Sequence, residues 1–428
     1  MPAPSESSHR GNHCRLRYDP AQIHSVYTVH TCKSLFLGEQ KVKVTAIEVF
    51  PVKSLTRPWL YCAVRTDEGI TGYSEFGVGD LAKGLAGLVE DLSRHIVGKD
   101  PRSVEQHYTN MVRSSRSSYG GATWMAIAGI ELALWDVKGK AMGVPVHELV
   151  GGPTRSEQKV YWSHLISYQS SNYEALGREP IRNYDDIKAL GRQARDAGYD
   201  TMKTNIQIPG DPFRTISHGT TGPHDQVLTR ELQNAAVRQI SAMREEAGQD
   251  AHICLDVNVN FKAEAQIRLG QALEPYDLMW MEIDNLDAES LRMVKDATRT
   301  PICSGEQKLG PLNYLELLQN RSMDFMKLDV QWQGFIPARR AANMAELFDI
   351  NVAPHNYNSH LSNFQTMNLC ASVNNVRISE SDPVQAPWRE ELFTVLPEIN
   401  NGMMKIPTGP GWGTDLREDM AKKYAWTG

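Results

Sequence analysis

Several absences narrow the reading of this 428-residue chain before any motif is considered. It has no continuous apolar run long enough to span a membrane. It has no basic excess: 45 Lys and Arg face 51 Asp and Glu, a formal net charge of −6. That leaves no positive field for a phosphate backbone, so neither nucleic acid nor a membrane surface is an expected partner. Cysteine is scarce. Cys14, Cys32, Cys62, Cys254, Cys303 and Cys370 form no CxxC pair, and none has zinc-ligand spacing with a histidine. Reduced thiols are expected, with Cys254 and Cys303 as small core residues inside apolar runs. The start, MPAPSESSHRGNHCRLRYDP, lacks the apolar stretch of a secretory signal, so the cytoplasm is the expected location.

What is present is an ordinary globular balance, 41% hydrophobic and 22% charged. Four regions follow from its patterning. Residues 1–42 are polar and patternless and read as an extension. Residues 43–152 read as an α+β unit. TAIEVFPVKS and WLYCAVRTDEGITGYSEF are strand-like, with a hairpin turn at Asp67-Glu68-Gly69. A helix follows over about 124–142, with Ile127, Ile130, Leu134 and Val137 on one face and Gly143 as its stop.

Over 153–400 the pattern changes to short β-rich runs alternating with helical stretches. The runs are KVYWSH (159–164), DTMKTN (200–205), HICLDV (252–257), LMWMEI (278–283), PICSGE (301–306), MDFMKLDV (323–330), DINVAPH (349–355) and NNVRISE (374–380). Between the second and third runs, Leu232, Ala236, Ile240 and Met243 line one face of a helix over 229–247. Eight strands with crossover helices imply an α/β fold, a (β/α)8 TIM-type barrel. A doubly wound open sheet is the alternative, but no glycine-rich phosphate loop follows the first run. Residues 401–428 are expected to return to the first unit.

In a barrel, chemistry sits at the C-terminal ends of the strands. Asp256, Glu282 and Glu306 stand at three successive strand ends, 26 and 24 residues apart. Each alone also reads as a cap on the following helix. Together they would converge, and three adjacent anions call for a cation. A hard divalent ion with oxygen ligands, one Mg2+ per chain, is the expected cofactor. Asn258 reaches the same mouth. His355 ends the seventh run and is expected to pair with Asp324, one repeat earlier, as a proton shuttle. Lys203 is expected as a base or an electrostatic clamp. Glu380 is placed to assist a substrate carboxylate, and Ser163 and His164 to bind substrate.

These residues resemble the enolase superfamily, mandelate racemase subgroup. The resemblance rests on ELALWDVKGKAMGVPVHELVGG, YWSH, LDVN, WMEI, SGEQ, DFMKLD and PTGPGWG, and covers roughly 44–420. It implies a capping domain over a barrel, Mg2+ on the three acids, His355 as acid/base with Asp324 behind it, Glu380 on the substrate carboxylate, and a homo-oligomer. It implies proton removal next to a carboxylate, with a fixed cation offsetting the charge that develops. One motif departs from the family. The usual Lys-x-Lys of the second strand reads Lys203-Thr204-Asn205, and Asn205 cannot take a proton. One-faced chemistry is therefore expected: His355 removes the α-proton and then protonates the leaving β-hydroxyl of an acid sugar, while Asn205 holds a substrate oxygen. The product would be a 2-keto-3-deoxy acid. A racemase, epimerase or cycloisomerase, with Lys203 as the opposing base, is the second reading; a non-catalytic descendant is the third. Lys53 and Arg57 are expected substrate contacts, and the polar loop 211–226 a cover for the mouth through His218 or His224.

Overall fold

The computed structural model describes residues 42–118, 120–216, 226–284 and 287–428. Of the expected extension only Val42 falls among them, and it is buried. The described part opens as an antiparallel sheet of β1 (Val44–Val52), β2 (Trp59–Thr66) and β3 (Thr71–Glu75), in that order. The β2–β3 hairpin turns on Gly69 at φ 77°, a conformation that glycine adopts without a Cβ penalty. Three helices follow: α1 (Ala82–Ser93), α2 (Val104–Ser114) and α3 (Gly121–Met142). Gly143, at φ 69°, ends α3 with a left-handed cap.

The barrel is then built in order from β4 (Glu157–Trp162), α4 (Ser167–Ser171), α5 (Tyr184–Asp196), β5 (Thr201–Ile208), β6 (Arg214–Ile216), α6 (Arg230–Ala247), β7 (His252–Asp256) and α7 (Ala263–Leu273). It continues through β8 (Trp280–Glu282), α8 (Ala288–Ala297), β9 (Ile302–Ser304), α9 (Leu315–Gln319), β10 (Phe325–Asp329), α10 (Val330–Gln333), α11 (Phe335–Leu347), β11 (Asn351–His355), α12 (His360–Cys370) and β12 (Ser379–Ser381).

The eight expected strands are β4, β5 and β7 to β12. β12 pairs in parallel with β4, and Val352 of β11 bridges Val376, which closes the ring. After β12 there is no long helix, only a 3-10 turn at Arg389–Leu392. The chain adds a hairpin, β13 (Ile399–Asn400) and β14 (Met403–Lys405), against β4, and ends near α13 (Glu418–Lys423). The expected loop over 211–226 begins as a strand, since β6 folds back antiparallel on β5. His218 and His224 lie outside the described residues.

Two-residue alternation sends every second side chain of a strand into the barrel. Tyr161, Cys254, Trp280, Cys303, Ala353 and Ile378 form an apolar cluster apart from the main core. It is the barrel interior, and it makes the floor of the site. Tyr161 and Trp280 meet edge to face, with centroids 5.6 Å apart.

Helix α3 does not present one apolar face as its periodicity predicts; Thr123 to Val137 are buried throughout. The reason is its position, packed on β2 and β3 on one side and on α10 and α11 on the other. Its polar residues are consequently matched to the barrel. Glu131 accepts hydrogen bonds from Phe335 N (2.8 Å) and Ile336 N (3.1 Å), at the start of α11, and from Trp135 Nε1 (2.8 Å). Glu75, at the end of β3, does the same for α12, accepting from Ser359 N (2.9 Å), Ser359 Oγ (2.5 Å) and Ser362 N (3.0 Å). Free N–H groups at a helix start favour such acids. Burial nevertheless outweighs these donors and pushes each carboxyl up to about 7.

Candidate functional site

The strand ends converge as a layered polar cluster. In register, Asn205 sits beside Asp256, Asp256 beside Glu282, and Asp329 beside His355. Two residues deeper stand Lys203 and Lys327, above the aromatic floor. Lys203 Nζ is 5.9 Å from the Tyr161 ring centre, and Lys327 Nζ is 5.5 Å from it. Such approaches are favourable for a desolvated ammonium.

The two lysines neutralise the acids around them. Lys203 Nζ reaches Glu282 Oε1 (2.9 Å), Asp256 Oδ2 (3.2 Å) and Glu380 Oε1 (3.2 Å). Lys327 Nζ donates to Glu282 Oε2 (2.6 Å) and to the Tyr161 hydroxyl (2.8 Å). Burial alone would lower both ammonium groups, but the surrounding carboxylates outweigh it and hold both above the ordinary lysine value. Burial likewise favours neutral Glu282 and Glu380, and the lysines reverse that, keeping both below the usual carboxylate range. In this arrangement Lys203 bridges carboxylates from three other strands.

His355 is oriented by Asp329, Nδ1 to Oδ2 at 2.6 Å. The expected partner, Asp324, is elsewhere. It precedes β10, accepts from Ile302 N (2.9 Å) and pairs with Lys295 (2.9 Å). Five residues of strand separate it from Asp329, about 16 Å, so the two acids serve opposite ends of the barrel. Asp329 is itself fixed by Trp332 N (2.9 Å). With Nδ1 facing a carboxylate, Nε2 of His355 is the nitrogen available at the mouth. It lies 3.4 Å from Glu306 Oε2 and 3.9 Å from Glu380 Oε2.

The three acids read as metal ligands do reach one mouth. Among the described residues, however, no three His, Cys, Asp or Glu side chains are gathered closely enough to hold an ion. Lys203 stands between Asp256 and Glu282, and Glu306 faces His355. The donor chemistry still fits a hard divalent cation. All the donors are buried oxygens, and acids outnumber local cations. Asp284 adds a further carboxyl whose Oδ1 has no hydrogen-bond partner. Burial, with Asp256 and Glu282 beside it, pushes Asp284 up to about 8. Burial with Asp284 and Glu282 raises Glu306 well above the carboxylate range. This excess of negative charge is what a divalent ion relieves.

Of the remaining expected residues, Asn205, Asn258 and Ser163 join the same polar cluster. Asn205 Nδ2 donates to Asn258 Oδ1 (3.1 Å), and Asn258 donates through N and Nδ2 to Asp256 Oδ1 (2.9 Å each). Ser163 Oγ donates to Glu380 Oε1. His164 Nδ1 faces Asp382 Oδ2 at 3.2 Å. Arg57, on the cap loop, lies over the Tyr357 ring at 4.7 Å, and that ring is 5.0 Å from the His355 ring. Lys53 is tied through its backbone to Tyr424 and Trp388, and it is exposed. Asp329 and Lys327 were missed from sequence, although the signal existed: DFMKLD ends on Asp329, and Lys327 lies two residues deeper on the same face.

Comparison with known proteins follows this geometry. A model of the mandelate racemase/muconate lactonizing enzyme N-terminal domain matches residues 45–151, and an enolase C-terminal domain-like model matches residues 186–420. The chain is similar to D-xylonate dehydratase of Haloferax volcanii, 29% identical over 400 residues and 90% of each chain. It is similar to D-mannonate dehydratase of Novosphingobium aromaticivorans, 27% identical over 410 residues, 90% of this chain and 96% of the other. Among solved structures it resembles a candidate L-alanine-DL-glutamate epimerase of Burkholderia xenovorans bound to magnesium and fumarate. There the TM-score is 0.86 with 32% identity, over 90% of this chain and 96% of that one.

Proposed function

This chain belongs to the enolase superfamily, mandelate racemase subgroup, and from that premise we propose that it dehydrates an acid sugar to a 2-keto-3-deoxy acid. The observation that carries the reading is the single available base. His355 has Nδ1 committed to Asp329 and Nε2 at the mouth, whereas Lys203 is engaged by three carboxylates and Asn205 stands where a second base would. Racemisation needs a base on each face of the α-carbon. Dehydratase names among relatives aligned over 90% of the chain support the same choice.

Asp256, Glu282 and Glu306 would hold one Mg2+, which when bound offsets the negative charge that grows on the substrate carboxylate as the α-proton leaves. His355 Nε2 takes that proton, and Asp329 stabilises the imidazolium formed. Asn205 and Asn258 offer amide groups to a substrate oxygen, and Arg57 with Tyr357 closes the mouth from the cap side.

The test is a panel of acid sugars, D-xylonate, D-galactonate and D-mannonate among them, incubated with Mg2+ and assayed for a keto product lighter by one water. Metal content is measured in parallel on wild type and Asp256→Asn. Metal-loaded protein that yields no such product from any acid sugar counts against the proposal. The epimerase reading is favoured only by the similarity to the Burkholderia chain. In D2O it predicts α-deuterium with inversion and no loss of water.

A further inference from the structure

Dehydration breaks a carbon–oxygen bond as well as a carbon–hydrogen bond, and a hydroxyl leaves readily only as water. The mouth holds a second imidazole–carboxylate pair suited to that half of the reaction. His164 lies two residues beyond β4, and Asp382 one residue beyond β12, on strands paired in register at Trp162 and Ser381. His164 Nδ1 is 3.2 Å from Asp382 Oδ2 and 3.1 Å from Ser163 Oγ. Asp382 is buried and is steadied by Gln385 Nε2 at 3.2 Å. The imidazole is stacked on Tyr168, 4.3 Å between centroids and 11° from parallel, which restrains the ring. Its backbone has φ 51°, a left-handed conformation that a non-glycine residue adopts at a cost, held here by the surrounding contacts. With Nδ1 occupied, Nε2 carries no hydrogen bond among the described residues.

Both histidines pack against one tyrosine. The Tyr357 ring lies between them, 5.0 Å from His355 and 6.1 Å from His164. Glu380 joins them from below, receiving Ser163 on Oε1 and lying 3.9 Å from His355 on Oε2.

We propose that His164, oriented by Asp382, is the acid that protonates the departing β-hydroxyl, a role that rests on the dehydration reading above. His355 Nε2 takes the α-proton, and the electron pair of that C–H bond forms the Cα–Cβ double bond. The Cβ–O bond breaks, and its oxygen receives the Nε2 proton of the His164 imidazolium and leaves as water. The enol becomes the 2-keto acid by gaining a proton at Cβ and losing one from its oxygen. His164 is reloaded from solvent and His355 returns its proton, so the cycle is balanced without a co-reactant.

The experiment compares an accepted acid sugar with its 3-deoxy-3-fluoro analogue, because fluoride departs without protonation. His164→Asn should slow dehydration about 10²–10⁴-fold while fluoride release and α-proton exchange stay near wild type. Asp382→Asn should slow dehydration less and spare fluoride release. Equal loss with both substrates would make His164 merely structural, and unchanged dehydration in both variants would leave His355 as the acid; either result overturns the proposal. Wild type that exchanges the α-proton but expels neither water nor fluoride overturns the dehydration reading, and His164's role with it.

Discussion

The molecule buries acids in two regions and compensates them in two ways. At the barrel mouth, Glu282 and Glu380 face full positive charges on Lys203 and Lys327, and are held ionised. At the seam between cap and barrel, Glu75 and Glu131 meet only N–H and O–H donors at helix starts, and burial wins. Ammonium groups keep negative charge where chemistry needs it. Backbone dipoles give directional attachment and tolerate a neutral carboxyl. The mouth is thus organised around charge, the seam around geometry.

The largest effect that would sharpen this contrast is expected within the mouth. Asp329→Asn should leave the fold intact and cut turnover about 10²–10⁴-fold, since the imidazole loses both its fixed tautomer and its counter-charge. Steady-state kinetics beside a thermal melt checks this. Next comes stability at the mouth. Lys327→Met keeps the volume but strips Glu282 of its shortest partner, and should cost about 3–5 kcal/mol in urea unfolding. A cost below about 1 kcal/mol would show that the acids are compensated from elsewhere.

The seam should answer to pH. The folded-state carboxyl of Glu75 lies near 7 against an ordinary 4.5, so its contribution is fully present below about 4.5 and is lost as pH rises through about 7. Wild type should lose up to about 3 kcal/mol across that window on this account. Glu75→Gln should remove that part of the slope, as read from urea midpoints at several pH values. Smallest of all, Asp324→Asn should change stability by less than about 1 kcal/mol and leave turnover unchanged, because its ion pair with Lys295 is partly exposed and at the far end of the barrel.

That last pair of residues also shows how much the sequence disclosed. Eight β-rich runs at barrel spacing exposed the fold, and strand-end position alone picked out Asp256, Glu282, Glu306 and His355. The same rule applied to MDFMKLDV selects Asp329, since Asp324 stands at the start of that run. Asn205 was legible only through the family resemblance, where it replaces the second lysine of Lys-x-Lys. Lys203 was legible as a base or a clamp, and the choice between them turns on three acids brought from other strands. Glu131 and Glu75 gave no signal. A glutamate inside an apolar helix or closing a hairpin announces nothing until α11 and α12 arrive to meet it. The dyad of His164 and Asp382 depends on ring closure, which pairs the first strand with the last.

That closure is followed by the chain's return to β1. Trp426 N donates to Pro51 O (3.0 Å), Lys53 N donates to Tyr424 O (2.9 Å), and Ala425 bridges Val52. The C-terminal end of β1 is therefore covered by residues synthesised only after the barrel. During vectorial synthesis that end stays open, a template for wrong pairing, until the ring behind it is complete. Until then the C-terminal end of β1 lacks the partner that covers it in the finished fold.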